Sequence, residues 1–494
     1  MAPVRRERTP TLNSAPPLPA AEPRRRLVRR SPWRRSIAAR VALLAFLFIP
    51  GVLDAQLFER ATVIENARVR LSEDRVVDGV TVVIKSGRID AIGIEVDKPF
   101  LSCAIDATGG VLTNGFVALA SDLALAPSRK ADPRSVMADG VDRYDRDAIA
   151  LALSGGVTTV CLVPSGVTGI QGVASVVTLA PGENGGHLSV LERESALCID
   201  LGSDDGALAR LRTLAAIRKT FEAALAHRES LDLYDESLEE YLEKIAPAEG
   251  EGGEKEGKKN ARAEEGGEKG KGKSDDEKDA PKPPKEPSPR DDLTIVLRAL
   301  DRELPVRITA HRSADLWNAI ELAKEYDLDL VLVGASEAHL VIDAIVEAEA
   351  TVLLAPAPAG LAAERGADRR RVADLPALLT RHEVPWHVLP GANLHEVLAD
   401  TVRLTRGSGT DVFTALGWDP ARFLGLGRSV GRLGRGARAD LVLWSADPFT
   451  DPTARVRQVW CGGRSVFRDD AVVLDDPEET AAPADSTTRD NGCL

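Results

Sequence analysis

Aromatic residues are scarce in this chain, at 4% of 494 positions, and methionine occurs only twice. The interior therefore has to be built from aliphatic side chains, which suits an Ala/Val/Leu-rich α/β protein. Cysteine is sparse too: Cys103, Cys161, Cys198, Cys461 and Cys493 are odd in number and lack CxxC spacing. That pattern defines neither a disulfide framework nor a cysteine zinc site, and leaves the cysteines to act as small buried hydrophobes. Basic charge is missing from most of the molecule. The net charge is −13, and residues 1–55 contribute +8 through eleven arginines against Glu7, Glu22 and Asp54, so the remainder carries −21. An acidic surface of that kind repels phosphate backbones and anionic headgroups, and nucleic acid is not an expected partner.

A long hydrophobic run is also absent. The apolar stretch at residues 41–49 falls well short of the about 20 residues that a membrane-spanning helix needs. It follows Arg24-Arg25-Arg26, Arg29-Arg30 and Arg34-Arg35, and it precedes Pro50, Gly51 and Leu53-Asp54-Ala55. A basic region, a short apolar region and a terminal small residue form a secretory signal, with cleavage after Ala55. The expected location is exported, periplasmic or extracellular. An uncleaved N-terminal anchor is the alternative and the one route to a membrane. The arginine pairs lack the hydrophobic follow-on of a twin-arginine signal.

Residues 247–292 are a low-complexity run of Glu, Lys, Gly, Asp and Pro. Their only non-proline apolar side chains are alanines, too little apolar surface to offset the entropy of ordering, so a disordered insertion is expected. Before it, residues 204–246 read as helix, with Tyr234, Leu238, Tyr241, Leu242 and Ile245 on one stripe. Asp204 or Asp205 supplies the N-cap and Pro247 the stop. This arm either recruits a protein partner or is a solvated insertion without a task. Elsewhere, short apolar strands alternate with helical stretches, as at residues 157–163, 306–309, 328–333, 351–354 and 385–389. Repeated strand–helix units imply a parallel sheet covered on both faces, closed as a (β/α)8 barrel whose site lies at the C-terminal strand ends.

Asn114-Gly115-Phe116-Val117-Ala118-Leu119-Ala120-Ser121-Asp122 resembles the first-strand motif P-G-F-I-D-x-H-x-H of the amidohydrolase superfamily, imidazolonepropionase-like composite-domain members above all. Ile105-Asp106-Ala107-Thr108-Gly109-Gly110 is similar to the family's "IDATGK" segment. The stretch from Gly431-Arg432-Leu433-Gly434 to Ala439-Asp440-Leu441-Val442 resembles its "G-x-L-x-x-G-x-x-A-D-L-V". The resemblance implies a barrel in two parts, residues 113–203 and 293–428. Beside it would stand a small β-sandwich made of residues 56–112 and 429–475, with residues 476–494 as a disordered tail.

It also implies a hydrolase of carbon–nitrogen bonds of the cyclic amide type, working through a metal-held water and an aspartate that shuttles its proton. The residues depart from that pattern one after another. The two histidines of the first strand are Ala120 and Asp122. Pro305-Val306-Arg307-Ile308-Thr309-Ala310-His311 resembles "P-V-R-I-H-A-H", with Thr309 at the ligand position and His311 at the second histidine. Val333-Gly334-Ala335-Ser336-Glu337-Ala338 resembles "E-H-G-T-E-A", with Gly334 in the histidine's place. Pro390 and Gly391 stand where the aspartate would fall. Asp122, His311 and His387, with Glu337 beside them, are the residual candidates for a divalent metal such as zinc, which takes three or four protein ligands. Two functions follow: a hydrolase with an altered, weak or silent site, or a non-catalytic exported binding protein that uses the barrel mouth or the helical arm. A small-molecule substrate or ligand in the mouth is expected in either case. Pro164-Ser165-Gly166 to Gly172 lacks the ending of a phosphate-binding loop, and Ser165 sits in no Gly-x-Ser-x-Gly elbow, so the stretch reads as a rim loop.

Overall fold

The computed structural model describes residues 60–182, 185–202, 206–245, 283–356, 372, 374–391 and 393–469. The expected targeting segment, cleavage point, helix N-cap, most of the low-complexity run and the C-terminal tail lie outside them. Among the described residues no helix is long and apolar enough to cross a membrane.

Strands β1 (Ala61–Arg70), β2 (Val76–Lys85), β3 (Arg88–Gly93), β4 (Ser102–Asp106) and β5 (Val111–Asn114) come from the N-terminal side. The later strands β14 (Leu441–Trp444), β15 (Val456–Cys461) and β16 (Arg464–Arg468) join them in one sheet, ordered β16-β15-β14-β5-β1-β2-β3, with β4 also paired to β1. The antiparallel ladder of β14 with β5, Leu441 opposite Asn114 and Trp444 opposite Val111, joins the two ends of the chain. The second β unit therefore exists. Its strands form one hydrogen-bonded sheet that forks at β1, where β4 pairs with one end of the strand and β5 with the other.

The second sheet has the order β6 (Phe116–Ser121), β7 (Val157–Leu162), β8 (Gly169–Thr178), β9 (Ser189–Asp200), β10 (Val306–Ala310), β11 (Leu330–Gly334), β12 (Thr351–Leu354) and β13 (Trp386–Val388). This is the expected barrel with one correction: β8 runs antiparallel to both β7 and β9, while all other neighbours are parallel. A parallel return needs a crossover of a dozen or more residues. Only residues 163–168 link β7 to β8, so the chain turns straight back.

Helices α1 (Met137–Gly140) and α2 (Arg146–Ser154) lie between β6 and β7, and α3 (Ala207–Ile245) and α4 (Asp291–Leu300) between β9 and β10. Next come α5 (Ser313–Tyr326), α6 (Ile342–Glu347), α7 (Leu375–Arg381), α8 (Val397–Thr405), α9 (Val412–Leu416) and α10 (Trp418–Phe423). Helix α4 begins inside the stretch read as low complexity. Helix α3 buries Leu214, Ile217, Phe221 and Ala224, spaced for one face, and then runs on with no fully buried residue. Of its expected second stripe, Tyr234, Leu238 and Tyr241 are half-buried, and Leu242 and Ile245 are exposed.

Alternation along the barrel strands sorts their side chains. Val306, Ile308, Ala310, Leu330, Leu332, Val352 and Leu354 face the helices in one large cluster. Leu119, Val331, Leu353 and Leu389 pack together inside the ring, with Ala120, Val333 and Phe423. Cys161, Ala174, Val176, Ala196 and Cys198 form a second interior group, and Val117, Ala421 and Val430 a third. Leu424 touches all three, so the segment leaving α10 fills the barrel beside the start of β6. Cys161, Cys198 and Cys461 are free and buried.

Candidate functional site

The C-terminal ends of β6, β7, β10, β11 and β13 hold the residues singled out from the sequence. A bulge between Ala118 and Ser121 puts both Leu119 and Ala120 against the barrel interior, where the family motif would present a histidine. The methyl group of Ala120 has no electron pair to offer. Asp122 follows the strand, exposed, and its Oδ2 accepts a hydrogen bond from Ser165 Oγ at 3.3 Å. The glycine-rich stretch after β7 is thereby tied to the rim, the position expected of it.

On β10 the inward positions are Arg307 and Thr309, and His311 follows at the strand end. The His311 imidazole reaches over to β11. Its Nδ1 lies 3.0 Å from Ser336 Oγ, and a β-carbon on Gly334 would come within 2.3 Å of its Cε1. The ring occupies the space a side chain at 334 would need, and Gly334, at φ +89°, is the residue that leaves it free. Glu337 is buried and accepts the Ser313 N–H at 2.8 Å, so it caps α5.

His387 lies elsewhere in the barrel. Its ring packs on Phe423 with centroids 4.9 Å apart. Burial, and then the positive charges of Arg422 and Arg307, lower its pKa to about 4, so the imidazole is neutral near pH 7. Arg307 is 4% exposed; its Nη1 donates to the Leu119 carbonyl at 2.7 Å, and its guanidinium lies 5.5 Å from the Phe423 centroid.

The three candidates thus have three different neighbourhoods: Asp122 with Ser165, His311 with Ser336, His387 with Phe423. Among the described residues no group of three His, Cys, Asp or Glu side chains is placed to hold a metal ion. The metal implied by the fold family does not fit the residues at its usual positions. Ala120 and Gly334 supply no donor atom, Thr309 supplies only a hydroxyl, and the histidine at hand is seated on Gly334.

Two groups escaped the sequence reading. Asp400 of α8 extends its carboxylate to the end of β13, where Oδ2 accepts the Gly391 N–H at 3.0 Å. Burial raises its pKa, against the opposing pull of that N–H and of Arg403. A carboxylate from another element therefore stands beside Gly391. Its signal was an aspartate on the buried stripe of Val397, Thr401 and Leu404. Arg307 carried a comparable signal, a charge in the middle of an apolar strand.

Residues 383–467 match the family model described as "Amidohydrolase family". Among solved structures, an amidohydrolase from Thermotoga maritima is 22% identical, with a TM-score of 0.62, covering 83% of this chain and all of its own. A prolidase complexed with N-methylphosphonate-L-proline is 16% identical at a TM-score of 0.47, covering 83% of this chain and 100% of its own. Molinate hydrolase is 14% identical at 0.45, covering 88% and 100%. No curated protein matches the chain. The chain carries the amidohydrolase fold, and the resemblance read from its motifs holds over the C-terminal stretch that the family model covers.

Proposed function

We propose that this chain is an exported amidohydrolase-family protein, descended from hydrolases of carbon–nitrogen bonds, whose barrel mouth binds a small molecule without the family's metal chemistry. One observation carries the reading. The His311 ring, hydrogen-bonded to Ser336, fills the space over Gly334 from which a ligand histidine would project. A side chain stacked there takes up the room of a ligand side chain at 334, and its Nδ1 is engaged with the Ser336 hydroxyl. The basic, apolar and small-residue order of residues 1–55 supports export.

A second reading, a hydrolase of cyclic amides with a rebuilt site, is favoured by Asp400. A buried carboxylate whose pKa burial raises, next to the end of β13, is a suitable proton carrier. Elemental analysis separates the two. The purified full chain, exposed to zinc, manganese or iron and dialysed, is expected to retain none of them in stoichiometric amount. Near-stoichiometric metal that is lost in Asp122→Ala or His311→Ala would overturn the binding-protein reading and call for a screen of cyclic amides.

A further inference from the structure

Three of the five cysteines are buried and carry free thiols: Cys161 at 0%, Cys198 at 5% and Cys461 at 1% exposure. Burial pushes the Cys198 thiol up to about 12 and raises that of Cys461 as well, so neither yields the thiolate that disulfide exchange needs. For these three the reading as small buried hydrophobes holds. Cys103 departs from it. It lies half-buried on β4, opposite Thr62 of β1, and it is disulfide-bonded. Among the described strands β4 pairs with β1 alone, so Cys103 stands on an edge strand of the sheet. With Cys161, Cys198 and Cys461 free, the sequence leaves one partner for it, Cys493, which lies outside the described residues.

We propose that Cys103 and Cys493 form a disulfide that ties the C-terminal tail to the edge of the chain-end sheet. The described chain ends at Asp469, whose N–H donates to the Arg457 carbonyl. Arg457 in turn feels the charge of Asp106, the last residue of β4, so the tail departs close to that strand. Cys103 is three residues back along it, about 10 Å, and the 24 residues from Asp469 to Cys493 reach many times as far. The electron acceptor is a low-molecular-weight disulfide. One cysteine thiolate attacks it and expels one thiol, and the second cysteine displaces the other. Two protons and two electrons thus leave the protein for each sulfur–sulfur bond made, and one small disulfide becomes two thiols. The bond closes a loop over barrel and sheet together. The ladder of β5 with β14 already joins the two ends in the folded state, so the constraint falls mainly on the unfolded chain. Such bonds persist in oxidising compartments, and to that extent the proposal rests on the export reading.

The purified full chain would be equilibrated with mixed oxidised and reduced glutathione, so that the result does not depend on the compartment in which the chain is made. Free thiols would then be alkylated in urea and the chain cut with trypsin without reduction. A reduction-sensitive pair joining residues 89–129 to residues 490–494 is expected, Pro99 blocking cleavage after Lys98. Cys103→Ser, Cys493→Ser and the double variant should each lose the pair and lower the urea midpoint by the same shift, because each removes the same bond. Alkylation of all five cysteines, linkage of Cys103 to Cys161, Cys198 or Cys461, a dimer joined through Cys103, or single shifts that add in the double variant would overturn the proposal. Export is tested apart, by fractionating cells that make the unaltered chain. A chain found inside the cell whose bond still forms in the glutathione mixture would sink the export reading and leave the disulfide standing.

Discussion

A β-carbon on Gly334 would stand 2.3 Å from His311 Cε1 and 2.8 Å from both ring nitrogens, in a backbone conformation that L side chains rarely adopt. Gly334→Ala should therefore cost about 2–4 kcal/mol, the sum of left-handed strain and a displaced ring. In the Gly334→Ala, His311→Ala double variant the steric part disappears, so the two effects should be clearly less than additive in urea unfolding. A neutral Gly334→Ala would mean that the ring lies elsewhere. His387 gives a second test at this scale. Its ordinary pKa of 6.5 falls to about 4 in the folded protein, mainly through burial. Between those values the unfolded chain holds a proton that the native state refuses, so stability is greatest above pH 6.5 and falls as the pH drops to about 4. The full effect is on the order of 3 kcal/mol. The stability difference between wild type and His387→Gln should shrink by that amount over the window; a difference independent of pH would contradict the burial of a neutral imidazole.

Individual elements were legible in the sequence wherever periodicity set them. The apolar runs of β10, β11 and β12 and the helical pattern of α5 stand within one or two residues of their expected places, because a covered parallel strand has to be apolar throughout. The direction of β8 was not legible: Gly169–Thr178 has the same apolar character as its parallel neighbours, and only the short link before it marks the reversal. Between β11 and β12 the helical stretch is broken into a 3-10 turn, Ala338–Leu340, and then α6, with Glu337 ahead of the turn engaged in capping α5. The candidate site was legible as losses at Ala120, Thr309 and Gly334, positions fixed by motif spacing. The neighbours gathered around those positions were not, because Asp400 reaches Gly391 from a different element and His311 reaches Gly334 from the adjacent strand.

At the scale of the molecule, the barrel and the chain-end sheet are built on one interior. Phe116 and Ala118 of β6, Ile149 and Leu153 of α2, and Val157 and Val160 of β7 share a cluster with Val442, Trp444, Val456 and Val459 of the sheet. The rings of Phe116 and Trp444 lie 5.8 Å apart, and Trp444 Nε1 donates to Thr113 Oγ1 at 2.9 Å. Arg70 of β1 is nearly buried in its ion pair with Asp447, beyond β14, and lies over Phe449 at 5.1 Å, which in turn meets Phe116 edge to face. Separable domains meet through surfaces that are more polar than a core, whereas here the first barrel strand and the last sheet strands exclude water from each other. Removing either unit would expose the apolar face of the other, so the described part of the chain should unfold in one step. With Trp33, Trp317, Trp386 and Trp418 all changed to Phe, tryptophan fluorescence reports the buried Trp444 and Trp460 of the sheet, while far-ultraviolet circular dichroism reports the helices around the barrel. The two urea transitions should superimpose. Loss of the fluorescence signal at lower urea would show that the sheet detaches first, and that the cluster around Phe116 and Trp444 does not couple the two halves.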